Sequence, residues 1–202
     1  MIDMPGRQRR QDMASADKDK SIRIMYLHGY GSRFDPQSDK MQVLSQLGKV
    51  FGPDLDYGQG PDTVLAVAMD FARREEPDLV IGTSMGGWLA SHVGAALGIP
   101  FVALNPAIQP AQTLRKYIGH TVNYSGFDAT IDADAVAAYP DFQKDSFSGL
   151  VLCEEGDEVL GAGETMVFLE GHHDVRLLPG GSHRFSCLSS QLDSIRNHVS
   201  SN

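Results

Sequence analysis

Short apolar runs alternate with segments of helical periodicity along most of this chain. Ile22-Arg23-Ile24-Met25-Tyr26-Leu27 is patterned as a buried strand ending in a turn, and Lys49-Val50-Phe51 as a short one. Between them, Ser38 to Leu47 places Met41, Val43, Leu44 and Leu47 as the apolar positions of a helix. Asp62 is a plausible N-cap for a helix from Val64 to Glu75, and Pro77 stops it. Leu79-Val80-Ile81 predicts a strand, Met85 to Leu97 a helix closed by Gly98, and Phe101-Val102-Ala103-Leu104 a further strand ended by Asn105-Pro106.

The alternation then breaks. Residues 107–148 hold two short helical segments, around 111–118 and 132–138, with no convincing strand between them. It resumes with the strand Leu150-Val151-Leu152-Cys153, then Val175-Arg176-Leu177-Leu178, and finishes with a helix from Phe185 to Val199. Strands separated by helices predict parallel βαβ units with right-handed crossovers. The expected architecture is α/β, with a mostly parallel sheet of about six strands and a small insertion at 107–148 over the carboxyl ends of the strands.

The length, 202 residues, predicts one domain, from 21 to 202, behind a polar tail at 1–20 that is expected to be disordered. No apolar run approaches the roughly 20 residues of a membrane span. The net charge of −9 works against nucleic acid or an anionic membrane as the main partner. The two cysteines, Cys153 and Cys187, lack metal-site spacing and a disulfide framework, so reduced thiols and a cytoplasmic location are expected. His172-His173-Asp174 is the one ligand-like cluster; neighbours on a strand point to opposite faces, so it makes a poor chelate and no metal is expected.

Candidate chemistry centres on Gly82-Thr83-Ser84-Met85-Gly86. With 21 glycines in the chain the pentapeptide is weak alone, but it lies between a predicted strand and a predicted helix. That is the setting of a nucleophile elbow, a sharp turn that exposes the serine hydroxyl. A serine needs a base, and the base needs a carboxylate to fix its tautomer. In strand-turn-helix hydrolases the acid and then the histidine follow the serine, each after a later strand. Of seven histidines, His183 fits, because it lies in the Gly-rich loop Pro179-Gly180-Gly181-Ser182-His183 after the last strand. Asp157 lies in the loop leaving the penultimate strand. Glu154, Glu155 and Glu158 compete for the acid role and are expected in a solvated acidic loop, and Asp174 is a weaker rival. An oxyanion needs backbone donors. The first is the Met85 N–H at a helix start, and the second comes from the loop Leu27-His28-Gly29-Tyr30-Gly31-Ser32, from Tyr30 with Gly31 as the fallback.

The chain resembles the small bacterial α/β-hydrolase-fold esterases of the YqiA/YcfP type from about residue 22 onward. The matching segments are Tyr26-Leu27-His28-Gly29, Ile81 to Gly87, Leu104-Asn105-Pro106-Ala107, Gly156-Asp157-Glu158-Val159-Leu160 and Gly180-Gly181-Ser182-His183-Arg184-Phe185. The resemblance implies an α/β-hydrolase fold, a Ser84–His183–Asp157 triad, no cofactor, and hydrolysis of short- to medium-chain acyl esters or thioesters. His28, Gly29, Leu114 and Tyr117 are candidate substrate contacts. Ile118, Tyr124 and Phe127 join Leu114 and Tyr117 as residues that either wall an acyl pocket or form the insertion's own core. Arg184 is a solvated arginine or a rim group that attracts an anionic substrate. The alternatives to a carboxylesterase are an acyl-CoA thioesterase and, from another class, a non-catalytic binding protein on the same scaffold.

Overall fold

The computed structural model describes residues 21–122, 128–144 and 149–201. The expected tail at 1–20 and the candidate pocket residues Tyr124 and Phe127 lie outside the described residues. Six parallel strands form one sheet: β1 (Ile22–Leu27), β2 (Gly48–Phe51), β3 (Leu79–Thr83), β4 (Phe101–Leu104), β7 (Leu150–Glu154) and β8 (Asp174–Leu178), in the order β2-β1-β3-β4-β7-β8. The chain winds outward from β1 in both directions, so the order reverses between β1 and β3. Open α/β sheets place ligands at that switch point, beyond the carboxyl ends of the strands.

Strand alternation divides the core into two layers. Met25, Leu27, Val80, Ala103, Val151 and Cys153 face helices α2 (Pro61–Glu75), α3 (Met85–Leu97) and α6 (Ala162–Leu169). Ile24, Tyr26, Ile81, Leu104 and Leu152 face α1 (Asp39–Leu44) and α7 (Leu192–Ser200). Central strands buried on both faces are apolar throughout, and for that reason they stand out in the sequence. The register aligns Leu27 with Gly82, Gly82 with Ala103 and Ala103 with Val151. The loops that follow these four strands therefore emerge side by side.

Several sequence expectations are corrected. Helix α2 starts at Pro61 behind Gly60, with Asp62 in its first turn rather than at its cap; proline at the first helical position sacrifices an N–H that has no intrahelical partner. Helix α1 ends at Leu44, and a turn feeds β2. Between β4 and β7, α4 (Pro110–Thr113) runs into a 3-10 turn at Leu114–Tyr117. A two-stranded antiparallel hairpin, β5 (Gly119–Val122) with β6 (Asp128–Ile131), then lies where no strand is predicted, ahead of α5 (Ala133–Ala137). The helix expected from Phe185 begins only at Leu192, after a 3-10 turn at Leu188–Gln191. Phe185 has φ 62°, a left-handed conformation outside the right-handed helical range, so it is not itself part of a helix.

Two close approaches position the loops. A Cβ at Gly86 would run into the Leu27 carbonyl, so only glycine lets α3 sit against the end of β1. At Gly181, with φ 82°, a Cβ would strike the Glu154 carboxylate. Glu154 is fully buried at the end of β7, not solvated as its acidic neighbours suggest. It accepts hydrogen bonds from the N–H of Ser182 (2.7 Å) and of Cys187 (2.6 Å). Burial works against this carboxylate, but the Cys187 thiol and the N–H groups of Ser186, Ser182 and Cys187 outweigh it and hold the carboxyl below its usual range. Asn105, buried with φ 42°, completes the clamp. Its amide donates to Ser182 O at 2.9 Å, and its oxygen accepts from Glu154 N at 2.8 Å.

Two stability predictions follow from these contacts. Gly86→Ala lowers unfolding free energy by about 2–3 kcal/mol, the usual cost of overpacking, measured as a fall in the urea midpoint. Glu154→Gln costs about 2 kcal/mol at pH 7, because it removes hydrogen bonds to a charged acceptor. Since folding lowers the Glu154 pKa, its contribution is full above the unfolded value near ~4.3 and fades as pH falls. Urea titrations of both proteins between pH 7 and pH 3 should therefore converge on the acid side.

Candidate active site

Ser84 sits at the junction of β3 and α3 with φ 57° and ψ −120°. A serine adopts this conformation only when its surroundings impose it. Here its N–H donates to Leu104 O (3.0 Å), and its carbonyl accepts from Gly87 N (2.9 Å), Ala107 N (3.1 Å) and Trp88 N (3.2 Å). The residue is pinned between β4 and the first turn of α3, with its side chain at the carboxyl edge of the sheet.

The three residues selected by order along the chain meet in space. The His183 Nε2 lies 3.1 Å from Ser84 Oγ. On the other side of the ring, Nδ1 lies 2.9 Å and 3.0 Å from the two Asp157 oxygens. The Asp157 side chain is almost completely buried, and its Oδ1 also accepts from Val159 N (2.8 Å) and Leu160 N (2.9 Å). Burial raises the Asp157 pKa, but the bond from His183 and the two backbone N–H groups outweigh it, so the carboxyl lies below its ordinary value. A carboxylate in that position binds the Nδ1–H tautomer and leaves Nε2 as an acceptor toward Ser84 Oγ. Of the rival acids, Glu158 is exposed and its carboxylate accepts from the backbone N–H of His183 at 2.9 Å. Glu155 is exposed, and Asp174 pairs with Arg176 on the edge strand β8.

Met85 is the first residue of α3, so its N–H has no acceptor within the helix. The loop after β1 passes directly above Ser84, since a Cβ on Gly29 would lie 3.3 Å from that of Ser84. His28 is buried and holds this loop. Its Nε2 accepts from Leu55 N at 2.9 Å, which leaves Nδ1 to donate to Gly29 O at 2.9 Å. Burial lowers the His28 pKa, keeping the ring neutral as that pattern requires. The His28 carbonyl accepts from the Tyr57 hydroxyl at 2.7 Å, and Tyr57 O from the Tyr139 hydroxyl at 2.6 Å. Neither tyrosine is singled out by the sequence, because a buried aromatic in a loop reads as core.

A cavity of about 710 Å³ opens beside Ser84 and His183. Leu114 and Tyr117 line it together with Tyr30, Met41, Val159 and Lys40. The Tyr30 and Tyr117 rings pack at 4.8 Å, joining the loop after β1 to the segment between β4 and β7. Ile118 is exposed instead. His92 packs on Trp88, and His173 is fixed between Gly149 N and Gln143 O, both away from Ser84. Among the described residues, no group of three His, Cys, Asp or Glu side chains is placed to hold a metal ion, and no helix is long and apolar enough to cross a membrane.

Solved structures share this architecture. Est1E from Butyrivibrio proteoclasticus with ferulic acid bound superposes with a TM-score of 0.70 at 14% identity, covering 98% of this chain and 94% of that one. The mouse α/β hydrolase domain-containing protein 10 gives 0.59 at 18% identity, covering 87% and 90%. The esterase domain of a Rhodothermus marinus protein gives 0.60 at 17%, covering 91% and 89%. At these identities the likeness establishes the α/β-hydrolase fold. Among sequences, a UPF0227 protein of Vibrio parahaemolyticus is 25% identical over 165 residues, covering 82% of this chain and 78% of its own length. One from Yersinia pseudotuberculosis is 24% identical over 183 residues, covering 86% and 96%. The family model UPF0227, described as an uncharacterised protein family, matches residues 23–199, and the chain therefore belongs to UPF0227, the family of the YqiA/YcfP type.

Proposed function

We propose that the protein is a serine carboxylesterase that cleaves acyl esters through an acyl-enzyme. The observation that carries this reading is the unbroken hydrogen-bonded line from buried Asp157 through His183 to Ser84 on a strained strand-to-helix turn. The similar structures lend support: Est1E was solved with ferulic acid, and the Rhodothermus marinus domain is described as an esterase.

In the first step Ser84 Oγ attacks the ester carbonyl while its proton passes to His183 Nε2. The carbonyl oxygen becomes an oxyanion, held by the N–H of Met85 and of Tyr30. The C–O bond to the alcohol breaks, and His183 returns its proton to the departing oxygen. Water then loses a proton to His183 and attacks the acyl-serine; collapse releases the carboxylic acid and restores Ser84. Asp157 stays ionised throughout, orienting the ring and stabilising the imidazolium. The cavity lined by Leu114, Tyr117 and Tyr30 takes the acyl or alcohol portion.

Ser84→Ala should lower kcat/KM on p-nitrophenyl butyrate by about 10⁴ or more, and near wild-type turnover would sink the proposal. Asp157→Asn should cost about 10⁴ in kcat by presenting the wrong tautomer, with KM changed far less. A fluorophosphonate probe should label the wild type and not Ser84→Ala; an unlabelled, folded wild type would favour a binding protein. Tyr57→Phe keeps the packing but frees the His28 carbonyl. A loosened oxyanion loop should lower kcat about tenfold at nearly constant KM, read from full saturation curves.

A further inference from the structure

Lys40 projects from α1 toward the nucleophile, and the proposed esterase chemistry gives it no role. Its Nζ donates to Thr83 Oγ1 at 3.1 Å and to Arg184 O at 2.8 Å. Thr83 precedes Ser84, and Arg184 follows His183, so the amine bridges the neighbours of both groups. It stands on the wall of the cavity beside Ser84, together with Tyr26 and Thr83.

The hydrogen bonds in this cluster do not balance. A lysine ammonium has three donors, and two are used. The Thr83 oxygen also faces the Tyr26 hydroxyl at 3.0 Å. Burial pushes Tyr26 up to about 12, so it remains a protonated phenol. Whichever of the two hydroxyls donates to the other, one hydroxyl proton is left over. Among the described residues no acceptor is present for that proton or for the third N–H of Lys40. A surplus of donors on a cavity wall suits a ligand group that only accepts.

We propose that Lys40 and Thr83 form a subsite for a carboxylate carried by the ester substrate, a specificity that rests on the esterase reading above. An ionised carboxylate has acceptors and no donors, and a single positive charge matches a monoanion better than a phosphate dianion. The wider rim does not decide the sign, because Arg33 and Arg184 are offset there by Asp35, Asp39 and Glu158. The selectivity comes from the half-buried amine. Burial drives Lys40 down to about 8, with Glu154 opposing the shift and Arg184 adding to it. A carboxylate seated against the amine favours its charged form.

The test compares methyl butyrate with two esters that add a carboxylate: methyl hydrogen succinate on the acyl side and carboxymethyl butyrate on the alcohol side. Hydrolysis is followed by pH-stat on the full chain. The wild type should prefer at least one carboxylate ester by tenfold or more in kcat/KM, and the arm that wins identifies the side. Lys40→Met should collapse the ratio of that ester to methyl butyrate by about 10–100-fold, and Lys40→Arg should retain most of it. Thr83→Val, a near-isosteric change in a strand, should lower the same ratio severalfold and serves if Lys40→Met does not fold. An unchanged ratio in Lys40→Met, with both rates falling together, would show that the lysine only tethers the His183 loop and would overturn the proposal. So would a wild type with no preference for either carboxylate ester. If the wild type hydrolyses none of these esters and no p-nitrophenyl butyrate, the esterase reading has failed. Calorimetry with methyl hydrogen succinate then judges the subsite alone: binding weakened tenfold by Lys40→Met upholds it, and no binding overturns it.

Discussion

The backbone of Ser84 is the constraint on which the rest of the site depends. A serine at φ 57° and ψ −120° costs about 1–3 kcal/mol relative to an ordinary conformation. It persists because four backbone hydrogen bonds fix it on both sides. Without that twist, the strand would carry the residue on in the plane of the sheet and bury the hydroxyl. With it, the side chain stands at the edge, and Met85 N–H becomes a free donor at the first position of a helix. Strain at the serine and a donor beside it are thus two results of one turn.

Asp157 and His183 are held differently. They lie on loops whose apolar anchors are neighbouring residues such as Leu160 and Phe185, and non-directional packing does not orient the two polar side chains themselves. Polar tethers do so instead: Glu154 holds Ser182 and Cys187, Asn105 holds Ser182, Glu158 holds His183, and Lys40 holds Arg184. Hydrogen bonds are directional where hydrophobic contacts are not, so they suit a histidine that must meet two partners at once. The cost is a concentration of charged side chains at the sheet edge, each tolerable only while its partners stay in place.

This division explains what was legible in the sequence. The strands stood out because a doubly covered parallel sheet requires apolar runs at Ile24, Val80, Val102 and Val151 alike. Ser84, Asp157 and His183 could be selected because each closes or follows such a run. The hairpin at Gly119–Val122 and Asp128–Ile131 was not visible, since four-residue strands with polar members carry too little alternation. The start of the last helix was hidden in the left-handed turn at Phe185, a position with no glycine to mark it. Glu154, Asn105 and Lys40 were illegible for a deeper reason. A glutamate in an acidic run reads as solvated, nothing local sets Asn105 or Lys40 apart for such a role, and only the tertiary partners reveal the tethering.

The segment between β4 and β7 is more than a wall for the cavity. Tyr139 binds the carbonyl of Tyr57, whose hydroxyl binds the carbonyl of His28, and Tyr117 packs on the ring of Tyr30. Two independent contacts therefore run from this segment into the loop proposed to supply the second oxyanion donor. On the proposed reading, a substrate seated against Tyr117 would bear on the loop that carries the Tyr30 N–H. Interactions realised only when the oxyanion forms raise kcat, whereas uniform binding does not. A rigid connection between the substrate wall and the donor loop lets contact with the non-reacting part of the substrate be expressed at the reacting carbonyl. On the proposed esterase reading, discrimination and rate would then depend on the same few aromatic contacts.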